Sequence, residues 1–195
     1  MKVDFISTKQ VAFSYINNAF SKSQWEEISS IVYEISCQPI LLEHIIKGVE
    51  RLKGIKFSLD LHRFIVREGG ISQITNSPYS QAILTIINHS SLIKKVSNLF
   101  GKEVEILRMQ LNIMTTGDFI SEHADKESDD SYLCAILIRT NSKYTGGDLT
   151  IYDAEQKSYK MRQPNQSILV MNSHCIHKVD PITSGFRHTI CLFLG

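Results

Sequence analysis

Apolar residues in the first half of the chain recur at helical spacing, whereas those in the second half form short runs between turn residues. The segment Ser23-Gln-Trp-Glu26 has the form of a capping box, and the apolar positions after it predict a helix. Further helices are predicted over 39–52, 80–88 and 91–100. Gly101 would close the last of them. Residues 55–77 are ambiguous, because a strand-like alternation there is interrupted by turn signals.

From Val104 onward the pattern predicts short strands that are separated by Gly, Asn, Asp or Pro turns. They are placed at 104–114, 132–139, 148–153, 157–161, 167–171 and 187–194. Many short strands with regular turns are typical of a barrel or sandwich, with the preceding helices packed on its outside. We therefore predict an α+β fold with a mainly β core. One domain would cover 1–195, with 1–103 as mostly helical support and 104–195 as the core.

Composition and charge narrow the choice of partners. The chain has 195 residues, 43% of them hydrophobic, and 21 basic against 20 acidic residues give a net charge of +1. Because the chain is not strongly basic, nucleic acid is not an expected partner. The N-terminal segment lacks the apolar core of a signal peptide, and no run is long enough to cross a membrane. Composition and charge therefore predict a soluble globular protein.

The cysteines show no metal-binding or redox spacing. Cys37, Cys134, Cys175 and Cys191 are scattered and form no C-x-x-C pair. Such a pattern is typical of reduced thiols in a cytoplasmic protein, and it indicates no cysteine nucleophile.

The second half of the chain carries a candidate metal site. His123-Ala-Asp125 places an imidazole and a carboxylate two residues apart, so both point to the same face of an extended segment. Two imidazoles and one carboxylate suit an iron(II) ion that keeps open positions for substrate chemistry. His177 or His174 could complete such a set.

The last predicted strand offers a carboxylate-binding group. Strand alternation places Arg187, Thr189, Cys191 and Phe193 on one face. A guanidinium that points into the core needs an anionic partner, and Thr189 could donate its hydroxyl to the same carboxylate. Strand parity alone leaves open the alternative that Arg187 points outward into a surface salt bridge.

Three blocks in this half resemble the 2-oxoglutarate/Fe(II) oxygenases, in particular the prolyl-4-hydroxylase-like branch. The blocks are Asn112–Asp125, Tyr144–Leu149 and His177–Thr189. The last fits the closing motif of the family, in which the metal-binding histidine precedes the basic residue that binds 2-oxoglutarate. This frame favours His177 over His174 as the third ligand.

The resemblance implies a double-stranded β-helix, or jelly roll, with supporting N-terminal helices. It implies that His123, Asp125 and His177 bind Fe(II), and that Arg187, Thr189 and Asn112 contact 2-oxoglutarate. Dioxygen would be the second cosubstrate, with ascorbate a candidate stimulant. The carboxylate of Asp125 favours hydroxylation over halogenation, because related halogenases carry a small residue in its place.

Two departures from the family pattern affect the cosubstrate pocket. Met114 stands where many relatives have a tyrosine, so a hydroxyl contact could be missing. Arg139 lies near a position that in some relatives carries a cosubstrate-contacting tyrosine. It would either add a second positive charge to the site or merely end a strand.

The substrate is expected to be an amino-acid unit, either free, carrier-bound or within a peptide. Gln110 and Arg108 share a strand face with Asn112 and are candidate substrate contacts, as are Arg63 and Arg67. The segment 126–131 could be a flap over the site or only a solvated loop.

The functional hypothesis is a dioxygenase that hydroxylates an unactivated C–H bond and releases succinate and CO2. An alkylation-repair-type nucleic-acid demethylase is the first alternative, although that branch has a further arginine where this chain has Phe193. A non-catalytic metal-binding jelly roll, acting as a sensor or interaction module, is the second.

Overall fold

The computed structural model describes residues 12–37, 45, 46, 49–52, 55–140 and 143–195, and only the backbone of those between 45 and 55. In chain order the strands are β1 (Phe13–Tyr15), β2 (Ile45–Ile46), β3 (Val49–Leu52), β4 (Ile55–Ser58), β5 (Asp60–Glu68), β6 (Ile71–Ile74), β7 (Ile106–Met114), β8 (Phe119–His123), β9 (Cys134–Arg139), β10 (Tyr144–Gly146), β11 (Leu149–Tyr152), β12 (Ser158–Met161), β13 (Ser167–Asn172), β14 (His177–Val179), β15 (Ile182–Gly185) and β16 (Arg187–Leu194). The helices are α1 (Lys22–Cys37), α2 (Tyr79–Asn88) and α3 (Leu92–Phe100).

The strands form two main antiparallel sheets. The larger has the order β1-β13-β9-β16-β7-β5-β2, with β6 paired to β5, and the smaller has the order β12-β11-β14-β8-β4-β3. A separate ribbon joins β10 to β15. This arrangement confirms the prediction of a jelly roll with supporting N-terminal helices.

The large sheet is buried on both faces. Its outer face packs on the three helices, through side chains such as Ile28, Ile83 and Val96. Its inner face packs on the small sheet, through side chains such as Leu149 and Ile151. The sequence of a strand that is buried on both sides is a nearly continuous apolar run. This explains why β16 could be predicted from the sequence.

The helices largely follow the prediction. Helices α2 and α3 lie within a residue of the predicted 80–88 and 91–100, and Gly101 ends α3 in the left-handed conformation at φ 67°. The capping box of α1, however, lies two residues before the predicted one. The backbone N–H of Gln24 donates to Ser21 Oγ at 3.2 Å, and that of Ser21 donates to Gln24 Oε1 at 2.9 Å.

The predicted helix over 39–52 is wrong where the structure describes it. Residues 45–46 and 49–52 are strands, and β3 pairs with β4 in the register Val49↔Ser58. Residues 38–44 lie outside the described ranges. The ambiguous segment 55–77 is also mainly strand, since β4, β5 and β6 lie within it. The first half of the chain therefore supplies sheet edges as well as helices, because these residues gain ladder partners distant in sequence.

A glycine fixes the path of the chain from β15 into β16. Gly185 has φ +80°, and a Cβ atom there would overlap the carbonyl oxygen of Lys143. That oxygen accepts a hydrogen bond from the Phe186 N–H at 3.0 Å. The close approach of the two strands at this point sets the start of the strand that carries Arg187.

The substitution Gly185→Ala is expected to destabilise the protein by about 3 kcal/mol, since left-handed strain and overlap add together. Gly70→Ala is a matched control, because Gly70 has φ +81° and no heavy atom within 4 Å of its Cβ position. It should cost only about 1 kcal/mol. Thermal unfolding should show a fall of roughly 10 °C for the first and roughly 3 °C for the second. Equal falls would show that Gly185 is needed only for its backbone conformation.

Candidate metal centre and cosubstrate pocket

A cavity of about 110 Å³ lies between the two sheets. Most of its wall area is apolar, and its polar lining residues come from five strands and the segment that follows β8. Those polar residues are Arg63, Arg108, Gln110, Asn112, His123, Asp125, Ser128, His177, Arg187 and Thr189. A largely apolar pocket with a few convergent polar groups is the usual form of a small-molecule site.

Three potential metal ligands meet in this cavity. One ligand atom each of His123, Asp125 and His177 lies within 4.8 Å of the other two. Asp125 Oδ1 is 3.6 Å from His123 Nε2 and 3.8 Å from His177 Nε2. Sheet register brings the two histidines together, since His177 on β14 pairs with His123 at the end of β8. Ala124 is extended, so Asp125 points to the same side as His123.

Backbone carbonyls fix the histidine tautomers. His123 Nδ1 lies 2.9 Å from the carbonyl oxygen of Ser121, and His177 Nδ1 lies 3.1 Å from that of Cys175. A carbonyl oxygen only accepts, so each Nδ1 carries the proton. In the neutral rings both Nε2 atoms therefore keep a free lone pair directed at Asp125. This is the second-nitrogen anchoring that metal-binding histidines generally show.

Burial and charge suit a cation at His177 and Asp125. At His123 burial tends to lower the pKa, but the hydrogen bond and charge of Asp125 outweigh it and hold that pKa above its usual value. Burial lowers the pKa of His177 to about 4, which keeps the ring neutral. Burial opposes ionisation of Asp125, but the neighbouring histidines outweigh it and hold the pKa of that carboxyl below its usual value. Asp125 Oδ2 is buried and accepts no hydrogen bond from the described residues. An unpartnered buried carboxylate oxygen beside two imidazole lone pairs fits a divalent metal.

Arg187 lies in the cavity wall and is only 2% exposed. Its Nη1 is 3.3 Å from the sulfur of Met114, and its Nε has no hydrogen-bond partner among the described residues. Burial lowers the pKa of Arg187, an effect that Tyr144 opposes. The inward orientation answers the question that strand parity left open, and no carboxylate of the described residues pairs with this guanidinium.

The residues around Arg187 form a polar row on the inner face. Thr189 follows on β16, and Asn112 stands opposite it on β7. Asn112 accepts a hydrogen bond from Gln110 Nε2 at 3.0 Å and donates to the sulfur of Cys191 at 3.5 Å. Arg139, 1% exposed, lies behind Thr189 and does not line the cavity itself.

The other end of the cavity carries Arg108. Its guanidinium stands over the Phe193 ring, 5.2 Å from the centroid. Phe193 in turn stacks on Tyr132 with a centroid separation of 5.0 Å. Gln110 also faces this end, and its Oε1 is buried without a partner among the described residues. Arg63 pairs with Gln110 across β5 and β7 and lines the same wall.

The loop that follows His123 and Asp125 is packed against the sheet. Asp125–Glu127 form a 3₁₀ turn, and Ser128 lines the cavity. Arg67 Nε lies 3.2 Å from Asp129 Oδ2, so Arg67 holds this loop on β5 and does not reach into the cavity. Burial tends to raise the pKa of Asp129, but hydrogen bonds from Ser131 and the charge of Arg67 hold it below its usual value.

His174 is exposed and lies in a different depression, lined also by Tyr152 and Asp153. The structure thus brings His177, not His174, to His123 and Asp125. Two tyrosines of the site were not identified from the sequence. Tyr132 lies beside Arg108, and Tyr144 lies beside Arg187. Tyr144 stands next to Gly146-Gly147 in one of the resembling blocks, which was an available signal.

Burial favours the protonated form of three cysteine thiols. Burial raises the pKa of Cys134 and of Cys191 to about 12, and that of Cys175 to about 11. These three thiols and that of Cys37 form no disulfide. Among the described residues, no helix combines the length and hydrophobicity that a membrane span needs.

Comparison with known proteins shows which family this part of the chain resembles. Residues 109–195 match the model of the 2OG-Fe(II) oxygenase superfamily. A PKHD-type hydroxylase of Idiomarina loihiensis is 26% identical over 115 residues, which are 55% of this chain and 49% of that protein. The chain therefore matches about half the length of this relative.

Solved structures share the fold. An oxidoreductase of the 2OG-Fe(II) oxygenase family from Burkholderia pseudomallei has a TM-score of 0.80 at 19% identity, over 94% of this chain and 85% of that one. A prolyl hydroxylase from Trichoplax adhaerens, solved with a peptide fragment of the hypoxia inducible factor oxygen degradation domain, has a TM-score of 0.66 at 21% identity. That match covers 94% of this chain and 83% of the other.

The jelly roll and its two-histidine, one-carboxylate cluster define a class of non-haem iron proteins. Within that class, residues 109–195 match the 2OG-Fe(II) oxygenase superfamily, and this match confirms the resemblance that the sequence showed. Iron and 2-oxoglutarate are the metal and cosubstrate of this superfamily, and the His-Asp-His cluster could bind the iron.

Replacing Arg67 by methionine is expected to loosen residues 126–131 without unfolding the protein. The Arg67–Asp129 pair is partly exposed, so its loss should cost at most about 1 kcal/mol of stability. Hydrogen exchange should accelerate in 126–131 and stay unchanged in β7. Lys22→Met, which removes an exposed pair with Glu26 at 3.8 Å, is the control and should leave this loop unaffected. Unchanged exchange in the loop of Arg67→Met would show that other contacts hold it.

Proposed function

We propose that the protein is an Fe(II)- and 2-oxoglutarate-dependent dioxygenase that hydroxylates an unactivated C–H bond of an amino-acid unit, with release of succinate and CO2. One observation carries this proposal: a His-Asp-His cluster and a buried, unneutralised Arg187 face the same cavity. The cluster would hold iron, and the arginine would hold the far carboxylate of a 2-oxo diacid.

Three of the site residues would bind the metal. His123, Asp125 and His177 would hold the metal, which with 2-oxoglutarate and dioxygen supplies the oxidising power. Three protein ligands leave coordination positions for small molecules. Asp125 keeps a carboxylate at the place that a halogenase would leave free, so hydroxylation is the outcome that this set supports.

Arg187, Thr189 and Asn112 would orient the cosubstrate. Arg187 can offer two parallel N–H donors to a carboxylate, and Thr189 adds a hydroxyl on the same strand face. Met114 has no hydroxyl to offer a cosubstrate, and its sulfur lies 3.3 Å from Arg187 Nη1. The apolar walls, including Leu137 and Leu149, exclude water from the space between these donors and the metal ligands.

The opposite end of the cavity supports an amino-acid unit as substrate. Arg108 is half-buried, is held over Phe193, and has no ion pair with the described residues. Its guanidinium can donate to a carboxylate or a carbonyl oxygen. Gln110 uses its N–H₂ group on Asn112, so its unpartnered Oε1 is left to accept from a substrate N–H. The backbone of an amino-acid unit has a carbonyl or carboxylate that could accept from Arg108 and a nearby N–H that could donate to Gln110.

The cofactor assignment predicts a visible charge-transfer band when Fe(II) and 2-oxoglutarate are added to the protein without oxygen. Replacing His123 and Asp125 together by alanine should abolish the band, because two of the three metal ligands are lost. His174→Ala is the matched control, since His174 lies outside the cluster, and should keep it. Absence of the band in the wild type, or its persistence in the double variant, would contradict the assignment.

The substrate assignment predicts succinate release above the uncoupled background with amino acids or peptides, and none with methylated oligonucleotides. Stimulation by oligonucleotides alone would favour the nucleic-acid demethylase instead. With an active amino-acid compound, Arg108→Met should lower kcat/KM by about 10- to 100-fold, which corresponds to one charged hydrogen bond. Its uncoupled 2-oxoglutarate turnover should match the wild type, and Arg108→Lys should fall between the two. Unchanged kcat/KM would remove Arg108 from the substrate site.

A further inference from the structure

A second arginine is buried behind the cosubstrate pocket. Arg139 on β9 stands directly across from Thr189 on β16 in the sheet register. Its Nη1 donates to the Thr189 hydroxyl oxygen at 2.7 Å and to the His188 carbonyl oxygen at 3.1 Å. The ring of Tyr144 lies 5.5 Å from the guanidinium carbon. The side chain is therefore held in one place by the sheet and by an aromatic face.

The contact with Arg139 sets the direction of the Thr189 hydroxyl. A hydroxyl oxygen that accepts a hydrogen bond still carries one hydrogen of its own to donate. No described residue accepts that hydrogen. Thr189 lines the cavity beside Arg187, so its hydroxyl can donate this hydrogen to a group inside the cavity. Arg139 thus makes Thr189 a donor toward the space in which Arg187 also presents its donors.

The charges of the two arginines point to the same ligand. Arg139 and Arg187 are each at most 2% exposed, and neither forms an ion pair with a described residue. Burial lowers the pKa of Arg139 far below its usual value, and the positive charge of Arg187 lowers it further. Two neighbouring buried cations are costly without an anion. The nearby thiol of Cys191 stays protonated, so it supplies no negative charge.

We propose that Arg139 is a positioning residue for the far carboxylate of 2-oxoglutarate: it holds Thr189 as a hydroxyl donor and adds a second positive charge behind Arg187. This inference rests on the proposed function. The carboxylate would be bound directly by Arg187 and Thr189, while Arg139 acts mainly through Thr189 and adds its charge from behind. A purely structural Arg139, which only ties β9 to β16, would make no distinction between ligands with and without that carboxylate.

The test compares two ligands on Mn(II)-loaded protein by calorimetry. The ligands are 2-oxoglutarate and 2-oxobutanoate, which share the metal-binding oxo acid and differ in the far carboxylate. Arg139→Met is expected to raise the Kd of 2-oxoglutarate about tenfold or more, as loss of a charge-assisted contact does, and to change that of 2-oxobutanoate less than about twofold. A parallel rise for both ligands, or none for either, would overturn the proposal.

A double-mutant cycle tests the route through Thr189. Thr189→Val keeps the shape of the side chain and removes the hydroxyl, so it should also weaken 2-oxoglutarate selectively. The Arg139→Met, Thr189→Val double variant should lose little more than Arg139→Met alone, because both changes remove one shared contact. Losses that multiply would show that Arg139 acts independently of Thr189. If Arg139→Met does not fold, Thr189→Val decides alone: an unchanged ratio of the two Kd values would refute the proposal.

Arg162 provides the matched control. Its guanidinium also stands over the Tyr144 ring, at 5.7 Å, but it is half-exposed and pairs with Asp148 at 3.0 Å. Arg162→Met therefore disturbs the same ring without removing a buried charge, and both ligands should bind as in the wild type. If the wild type itself does not prefer 2-oxoglutarate to 2-oxobutanoate, the cosubstrate assignment fails with the inference. If it does and Arg139→Met keeps the preference, only the inference fails.

Discussion

The structure depends on a strand that is buried on both faces. Every residue of β16 is buried, so the period-two alternation of a strand alone decides what each side chain contacts. Ile190 and Leu192 pack among the helix-covered core, whereas Arg187 and Thr189 line the cavity between the sheets. A slip of one residue would exchange the two sets and bury the arginine against helices. Fold and site are therefore specified by the same register.

The electrostatics of the cavity follow from this arrangement. Cys191 lies midway along β16, and its thiol feels the charges of Arg187 and Arg139 as well as those of Asp125 and Arg108. One carboxylate among several guanidiniums leaves an excess of positive charge in an apolar surrounding. A metal ion would add to that excess. The cavity is therefore suited to anionic ligands, which would neutralise the charge of the guanidiniums and of the metal. The core of the fold thus carries an electrostatic cost that ligands of the right charge relieve.

Sequence patterns predicted the parts of the molecule in which local signals dominate. The helices α2 and α3, the strand β16 and the His123-Ala-Asp125 pair are all encoded by near neighbours in the chain. The strands of 39–52 were missed because an edge strand is stabilised by its partner, and β3 pairs with β4 and not with the main core. Tyr132 and Tyr144 were missed as site residues for the same reason, since their contacts with Phe193 and Arg139 join segments distant in sequence.

The donors and acceptors of the hydrogen bonds around the cavity are fixed by residue type. The two ends of the cavity therefore offer different hydrogen-bonding groups to a ligand. Arg139 can only donate, so Thr189 must accept from it and donate onward. On the neighbouring strand, Gln110 donates to Asn112, whose own N–H₂ group is directed at the weakly accepting sulfur of Cys191. The Thr189 end is left with donors only, which suits a carboxylate. The Gln110 end is left with an acceptor beside Arg108, which suits a group that both donates and accepts. The fold therefore separates the proposed cosubstrate and substrate by hydrogen-bond polarity as well as by distance.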